Sequence, residues 1–309
     1  MPTHVRDLFS SDNFEERRSR RVSYKRHQSL FVPAHRDRVL VRDHRVRENL
    51  LVAESSKKVV DYCSTGLQRE VAPHMRKIVT DWMMEVCEDQ QCQPQVFFLA
   101  VSYMDRVLST LTIKKNQFQL LAAVCILLAS KFSQVVPITT EQLVVYTDNS
   151  VTVEELRTWE LFVLEILGWE LYTPTAHDFL DHLGKCDADI KRQAETIAAM
   201  ASTEYKFISA KQSIIAAASL AAAVQQSQKE SEKTENVIEL SSSVFKCSKT
   251  EIIFFMQHIL ELSPPSFSVS LKSEPVSIEY FTETKTQHSS NSSLSLTPTD
   301  TIRFEVLAA

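Results

Sequence analysis

The sequence predicts an all-α protein of two tandem five-helix domains, with disordered segments at both ends. Three observations predict it. Only Gly66, Gly168 and Gly184 occur among 309 residues, against a norm of about 7%. Gly-rich phosphate loops, dinucleotide fingerprints and glycine-turned hairpins need more than that. Apolar residues recur at three- and four-residue spacing through the middle of the chain, the helical period. Two alanine-rich stretches, Gln119–Ala129 and Ser213–Ala223, hold the third place in two successive sets of five helices. That is a weak internal repeat.

The elements follow in order. Residues 1–45 are polar, arginine-rich and without a clear period, and read as a basic disordered head. A short helix over Val46–Ser55 uses Leu50 and Leu51 as apolar contacts. The first five-helix domain spans 46–170. Pro73 sits where a helix can start, because its missing N–H would have no partner there. From it a helix runs to Glu88, with Met75, Ile78, Val79, Trp82 and Val86 on one face. Pro94 starts the next, through Leu108. The third, Lys114–Phe132, is apolar on nearly every face and is therefore central. Thr139–Tyr146 is a short fourth. Thr152 and Glu155 form a capping box for a fifth, which runs to Leu167 and stops at Gly168.

The second domain spans 171–262. Its helices are Thr175–Leu183, Asp189–Ile208, Ala210–Gln226, Val237–Lys246 and Lys249–Leu262, with a polar loop over 227–236. After Pro264–Pro265 the composition changes. Of the 47 residues from 263 to 309, 21 are Ser, Thr or Pro. Such a segment buries too little apolar area to offset its ordering entropy, so it reads as a tail.

Charge and cysteine usage narrow the function. Residues 1–49 carry 12 Lys/Arg against 7 Asp/Glu, and residues 50–262 carry 19 against 27. The folded part is mildly acidic and gives no reason to expect nucleic-acid binding. The six cysteines, at 63, 87, 92, 125, 186 and 247, have no zinc-finger spacing. Cys87 and Cys92 are a weak metal pair with no matching second pair. The longest apolar run, Leu120–Ala129, is too short to span a membrane. No phosphate loop or zinc-ligand set occurs, and His177 and His182 do not share a helix face as an i, i+4 pair does. Asp178 and Asp181 read as surface or capping residues. The expectation is a non-enzymatic protein without cofactor or metal, in a reducing nuclear or cytoplasmic setting. Arg76, Asp105 and Lys131 lie among apolar residues. Charges are rarely buried unless paired, which suggests one internal ion pair and one lysine aimed at a partner.

From Leu50 to Leu262 the wording resembles a two-box cyclin of the D-type, G1 class. The residues that carry the resemblance are Met75-Arg-Lys-Ile-Val79, Trp82-Met-Met-Glu-Val-Cys-Glu88, Tyr146-Thr-Asp-Asn-Ser150, Pro174-Thr-Ala-His-Asp-Phe179 and Lys206-Phe-Ile-Ser209. The resemblance implies two tandem cyclin boxes and a regulatory subunit that activates a G1-type cyclin-dependent kinase. It implies a structural ion pair, Arg76 with Asp105, fixing the first helix of the box on the second. It assigns Lys131 and Glu160 to the kinase interface, with Phe132 and Gln134 beside them. It assigns a substrate-docking strip to Met75, Ile78, Val79 and Trp82, edged by Glu85 and Gln119. It further implies retinoblastoma-family substrates.

This chain departs from that pattern. No Leu-x-Cys-x-Glu peptide for retinoblastoma-family pockets is present. Gln134 stands where the family generally has glutamate. The acidic run before the C-terminus is missing. Leu296-Thr297-Pro298-Thr299-Asp300 resembles the D-type Thr-Pro phosphodegron. Phosphate on Thr297 adds about −1.5 to −2 charges, a label for a ubiquitin ligase. Arg17, Arg18, Arg20, Arg21, Lys25 and Arg26 have the composition of a nuclear import signal. Two other readings stay open: a cyclin-fold adaptor that binds a kinase without activating it, and a transcription-related scaffold. The second needs a basic face that the acidic body does not offer.

Overall fold

The computed structural model describes residues 39, 43–57, 59–183, 187–228 and 231–262. The arginine-rich cluster at 17–26 and the Thr297–Pro298 motif lie outside the described residues. Among these residues there are eleven α-helices and no strand. They are α1 (His44–Ser56), α2 (Pro73–Asp89), α3 (Pro94–Leu108), α4 (Phe118–Ser133), α5 (Thr140–Tyr146), α6 (Val153–Ile166), α7 (Ala176–Leu180), α8 (Ala188–Thr203), α9 (Gln212–Gln228), α10 (Ser231–Phe245) and α11 (Lys249–Leu262).

The starts and stops follow local chemistry. Pro73 and Pro94 occupy the first turns of α2 and α3. The Thr152 hydroxyl accepts from the Glu155 amide at 3.2 Å, and the Glu155 carboxylate accepts from the Thr152 amide at 2.8 Å. Thr139 with Gln142 and Thr175 with Asp178 repeat the box at α5 and α7, so Asp178 is a capping residue. Gly168 follows α6 at φ +63°, in the left-handed region that closes a helix.

The repeat is visible in the packing. In the first set α4 is the hub, contacting α2, α3, α5 and α6. In the second set α9 is the hub, contacting α7, α8, α10 and α11. Residues Leu120–Ser130 of α4 are all buried, as are Ile214–Val224 of α9. The alanines of α9 have no exposed surface. They remove side-chain bulk, so that four helices can approach one axis. The two sets meet where α2 and α3 pack against α8, and α3 against α7.

Several boundaries differ from the sequence reading. A 3₁₀ turn, Lys115–Gln117, replaces the first turn of the third helix. Helix α8 stops at Thr203, not Ile208, and gives way to a 3₁₀ turn at Tyr205–Phe207. Its last carbonyls are taken by a side chain from the first set, described below. Helix α7 is shorter than predicted, and α9 starts and ends two residues later. The polar stretch predicted as a loop over 227–236 is helical from Ser231. Glu232, Lys233 and Glu235 are good helix formers, and Thr234 is buried.

Candidate partner-binding surfaces

At the centre of the first set the Arg76 guanidinium is 2% exposed and grips Asp105 with two bonds. Nε donates to Oδ1 at 2.9 Å and Nη2 to Oδ2 at 2.7 Å. The Tyr62 hydroxyl donates to the same Oδ1 at 3.0 Å. Arg76 also reaches the second set. Its Nη1 donates to the Thr203 carbonyl at 2.9 Å and its Nη2 to the Ser202 carbonyl at 3.0 Å. These are end carbonyls of α8, where a cation is favoured by the helix dipole. Burial alone would lower the guanidinium pKa, but the Asp105 carboxylate outweighs it and the net shift is upward. Burial, then Asp105, pushes the Tyr62 hydroxyl far up, so it stays a donor. The predicted pair therefore locks α2 to α3 and also ties the two sets together. Sequence reasoning missed Tyr62, Ser202 and Thr203. Backbone carbonyls carry no side-chain signature, and a single tyrosine in a loop gives no periodic signal.

The second set reaches back through other bonds. The Glu54 carboxylate of α1 accepts from the Ser213 amide at 2.7 Å and its hydroxyl at 2.8 Å, capping α9. The Cys63 amide donates to the Tyr205 hydroxyl at 2.9 Å. That hydroxyl also bonds Asp61.

The Lys131 Nζ lies 2.6 Å from Glu160 Oε1, joining the end of α4 to α6. The lysine side chain is 46% exposed and the glutamate 17%. Phe132, Leu161, Phe162, Val135 and Val136 are all exposed, Val135 at 89%. A charged pair thus sits beside a run of uncovered apolar residues. Gln134 does not extend outward: its Oε1 accepts from the Ser130 hydroxyl at 3.1 Å. That hydroxyl oxygen in turn accepts from the Ile138 amide at 2.6 Å.

The strip on α2 is narrower than its sequence reading. Val79 has no exposed surface and Trp82 retains only 6%. Val79 and Trp82 both belong to the hydrophobic core. Met75, Ile78 and Glu85 are half-buried, as is Gln119 at the start of α4. Gln119 Oε1 accepts from the Ser150 hydroxyl at 3.4 Å. What remains accessible is an apolar edge with Glu85 and Gln119 beside it.

Among the described residues no group of three or more His, Cys, Asp or Glu has a metal-binding arrangement. No helix there is long and apolar enough to cross a membrane. The arrangement offers protein-docking surfaces.

The family described as Cyclin, N-terminal domain matches residues 45–172, and Cyclin, C-terminal domain matches residues 174–294. The chain is 44% identical to G1/S-specific cyclin-D1 of Homo sapiens over 199 residues, 62% of this chain and 67% of that one. It is 44% identical to the Xenopus laevis cyclin-D1, covering 62% and 68%. It is also 44% identical to G1/S-specific cyclin-D3 of Bos taurus over 193 residues, 60% and 66%. The X-ray structure of a viral cyclin from herpesvirus saimiri superposes with a TM-score of 0.61 at 25% identity, over 70% of this chain and 97% of that one.

Proposed function

The chain belongs to the cyclin family, in its D-type branch, and from that premise we propose that it binds and activates a G1-type cyclin-dependent kinase. The observation that carries this reading is the Lys131–Glu160 pair at the rim of an uncovered apolar run, Phe132, Val135, Val136, Leu161 and Phe162. Uncovered apolar area rimmed by charge is a protein-docking surface. The mechanism is allosteric. A protein kinase works only when its C-helix glutamate meets the strand-three lysine and its activation loop is ordered. A regulatory subunit that binds that arrangement better shifts the population toward it. Moving an equilibrium from 1:99 to 99:1 takes about 5.5 kcal/mol of differential binding, which an interface of ordinary size supplies.

On this reading the substrates are retinoblastoma-family proteins, and the apolar edge of α2 with Glu85 and Gln119 is where substrate peptides dock. The cyclin-box boundaries are 46–170 and 171–262. We assign Thr297–Pro298 to a phosphodegron read by a ubiquitin ligase, and the arginine cluster at 17–26 to nuclear import, with the protein in nucleus and cytoplasm. The test is co-purification with a G1-type cyclin-dependent kinase, then a kinase assay on a retinoblastoma-protein fragment, with Lys131→Glu as control. Activity that disappears with Lys131→Glu supports the proposal. Failure to bind any such kinase refutes it. A second reading, an adaptor that binds without activating, is favoured by Gln134. It turns inward to Ser130 and carries no charge. Binding without activity supports that reading.

A further inference from the structure

Cys87 and Cys92 have no part in either docking surface, yet the end of α2 brings them together. The helix closes with Gln91 at φ +50°. The Gln91 amide donates to the Glu88 carbonyl at 2.9 Å, and the Cys92 amide to the Cys87 carbonyl at 2.8 Å. Those two bonds define a Schellman motif, in which the side chains at the two ends of the longer bond meet. Here both ends are cysteine. The Cys92 thiol beside it, then burial, pushes the Cys87 thiol well above its ordinary range. Neither is in a disulfide. Cys87 is buried and Cys92 half-buried.

We propose that this helix cap is a modification site at which exchange with a small disulfide joins Cys87 and Cys92 in an intramolecular disulfide. Cys92 is the accessible partner and attacks first. Its thiolate displaces one thiol from the small disulfide and forms a mixed disulfide. Cys87 then gives up its proton and attacks the Cys92 sulfur, displacing the second thiol. One small disulfide and two protein thiols become one protein disulfide and two small thiols. No other oxidant is needed. The bond closes a turn the backbone has already made. It also fixes Gln90, one of the four residues enclosed by the bridge. The Gln90 Nε2 donates to the Tyr146 hydroxyl at 2.8 Å, and its Oε1 accepts from Gln142 Nε2 at 3.0 Å. The closed cap would therefore hold α2 against α5.

The sequence makes the test direct. Trypsin releases Ile78–Arg106 as one peptide, and it contains no cysteine but these two. The full-length protein is equilibrated with glutathione and glutathione disulfide at several ratios, quenched with acid, alkylated and digested. The expected result is this peptide lighter by two hydrogens and unalkylated. Its equilibrium constant should be at least about tenfold higher in the folded protein than in denaturant, because the cap supplies the effective concentration. Cys92→Ser should leave Cys87 reduced. A peptide that stays doubly alkylated overturns the proposal. So does one carrying separate glutathione adducts, or closure equally favourable in denaturant.

Discussion

Removing the acidic half of the central pair, Asp105→Asn, keeps the shape of the site and deletes one charge. Arg76 then remains as a cation at 2% exposure, facing only neutral acceptors, the amide oxygen at 105 and the Ser202 and Thr203 carbonyls. The Tyr62 hydroxyl loses the charge on its acceptor. Breaking a buried pair costs about 3–5 kcal/mol, because the surviving charge is uncompensated. That is a large share of a total stability of about 5–15 kcal/mol. It lowers the folded-to-unfolded ratio roughly 10²- to 10⁴-fold, at 1.4 kcal/mol per tenfold. The α8 carbonyls temper the loss, which places Asp105→Asn toward the lower end. Arg76→Met sits higher. It leaves the Asp105 carboxylate buried with one hydroxyl donor and removes both bonds to α8, each a charged-group bond of about 1.5–3 kcal/mol. Replacing both partners, Arg76→Met with Asp105→Leu, recovers part of the loss, since no buried charge survives. The assay is urea unfolding of the full chain, comparing midpoints at constant slope. A cost below about 1 kcal/mol for either single change refutes the reasoning. So does a double variant no better than the worse single one.

Three further outcomes follow from local geometry. Lys131→Glu sets like charges opposite each other at a half-exposed site, so it should shift stability by no more than about 1 kcal/mol while abolishing kinase co-purification. A large fall in stability would mean that lost binding reports on the fold. Gly168→Ala meets nothing within 4 Å but must hold φ at +63°, so it should cost about 1 kcal/mol of backbone strain, read as a lowered thermal midpoint. No change in midpoint would mean the cap relaxes out of the left-handed region. Glu54 gives a pH signature. Burial raises its pKa above the ordinary 4.5, opposed by the Ser213 amide and hydroxyl. The folded state therefore binds that proton more tightly than the unfolded chain. Its contribution is complete below about pH 4.5 and is lost as pH rises through the raised value. Glu54→Gln should flatten the stability curve above pH 4.5, and an unchanged slope would count against that burial.

The features legible in the sequence are those with a local cause. Pro73 and Pro94 mark helix starts because proline lacks only a donor that the first turn does not use. Thr152 with Glu155 marks a third start through reciprocal bonds three residues apart. The hub helices show as unbroken apolar runs. The features that were not legible depend on distant partners. Helix α8 ends at Thr203, where a guanidinium from α2 takes its last carbonyls, and nothing within 189–208 records that partner. Val79 belongs to the same periodic face as Met75 and Ile78, yet it is completely buried. Periodicity identifies a face but not where its exposed edge falls. The polar composition of 231–236 hid a helix because solvated helix formers and loop residues look alike without packing.

On the proposed function the two ion pairs divide the work between stability and recognition, and the residue types suit that division. Arg76 lies at 2% exposure and satisfies four acceptors with one rigid fork. A lysine there would offer a point charge and lose the bidentate geometry. Lys131 is half in solvent, at the end of a flexible stem, and holds one carboxylate oxygen. An exposed pair of that kind is worth about 0–1 kcal/mol. Separating it to meet a partner's charges would therefore cost little. An arginine–aspartate pair at that rim would resist the exchange, and a lysine–glutamate pair in the core would hold it poorly. The chain thus places its strongly held charge where the two repeats must not move. Its loosely held charge lies beside the uncovered Phe132, Leu161 and Phe162, where a second protein would have to re-pair it.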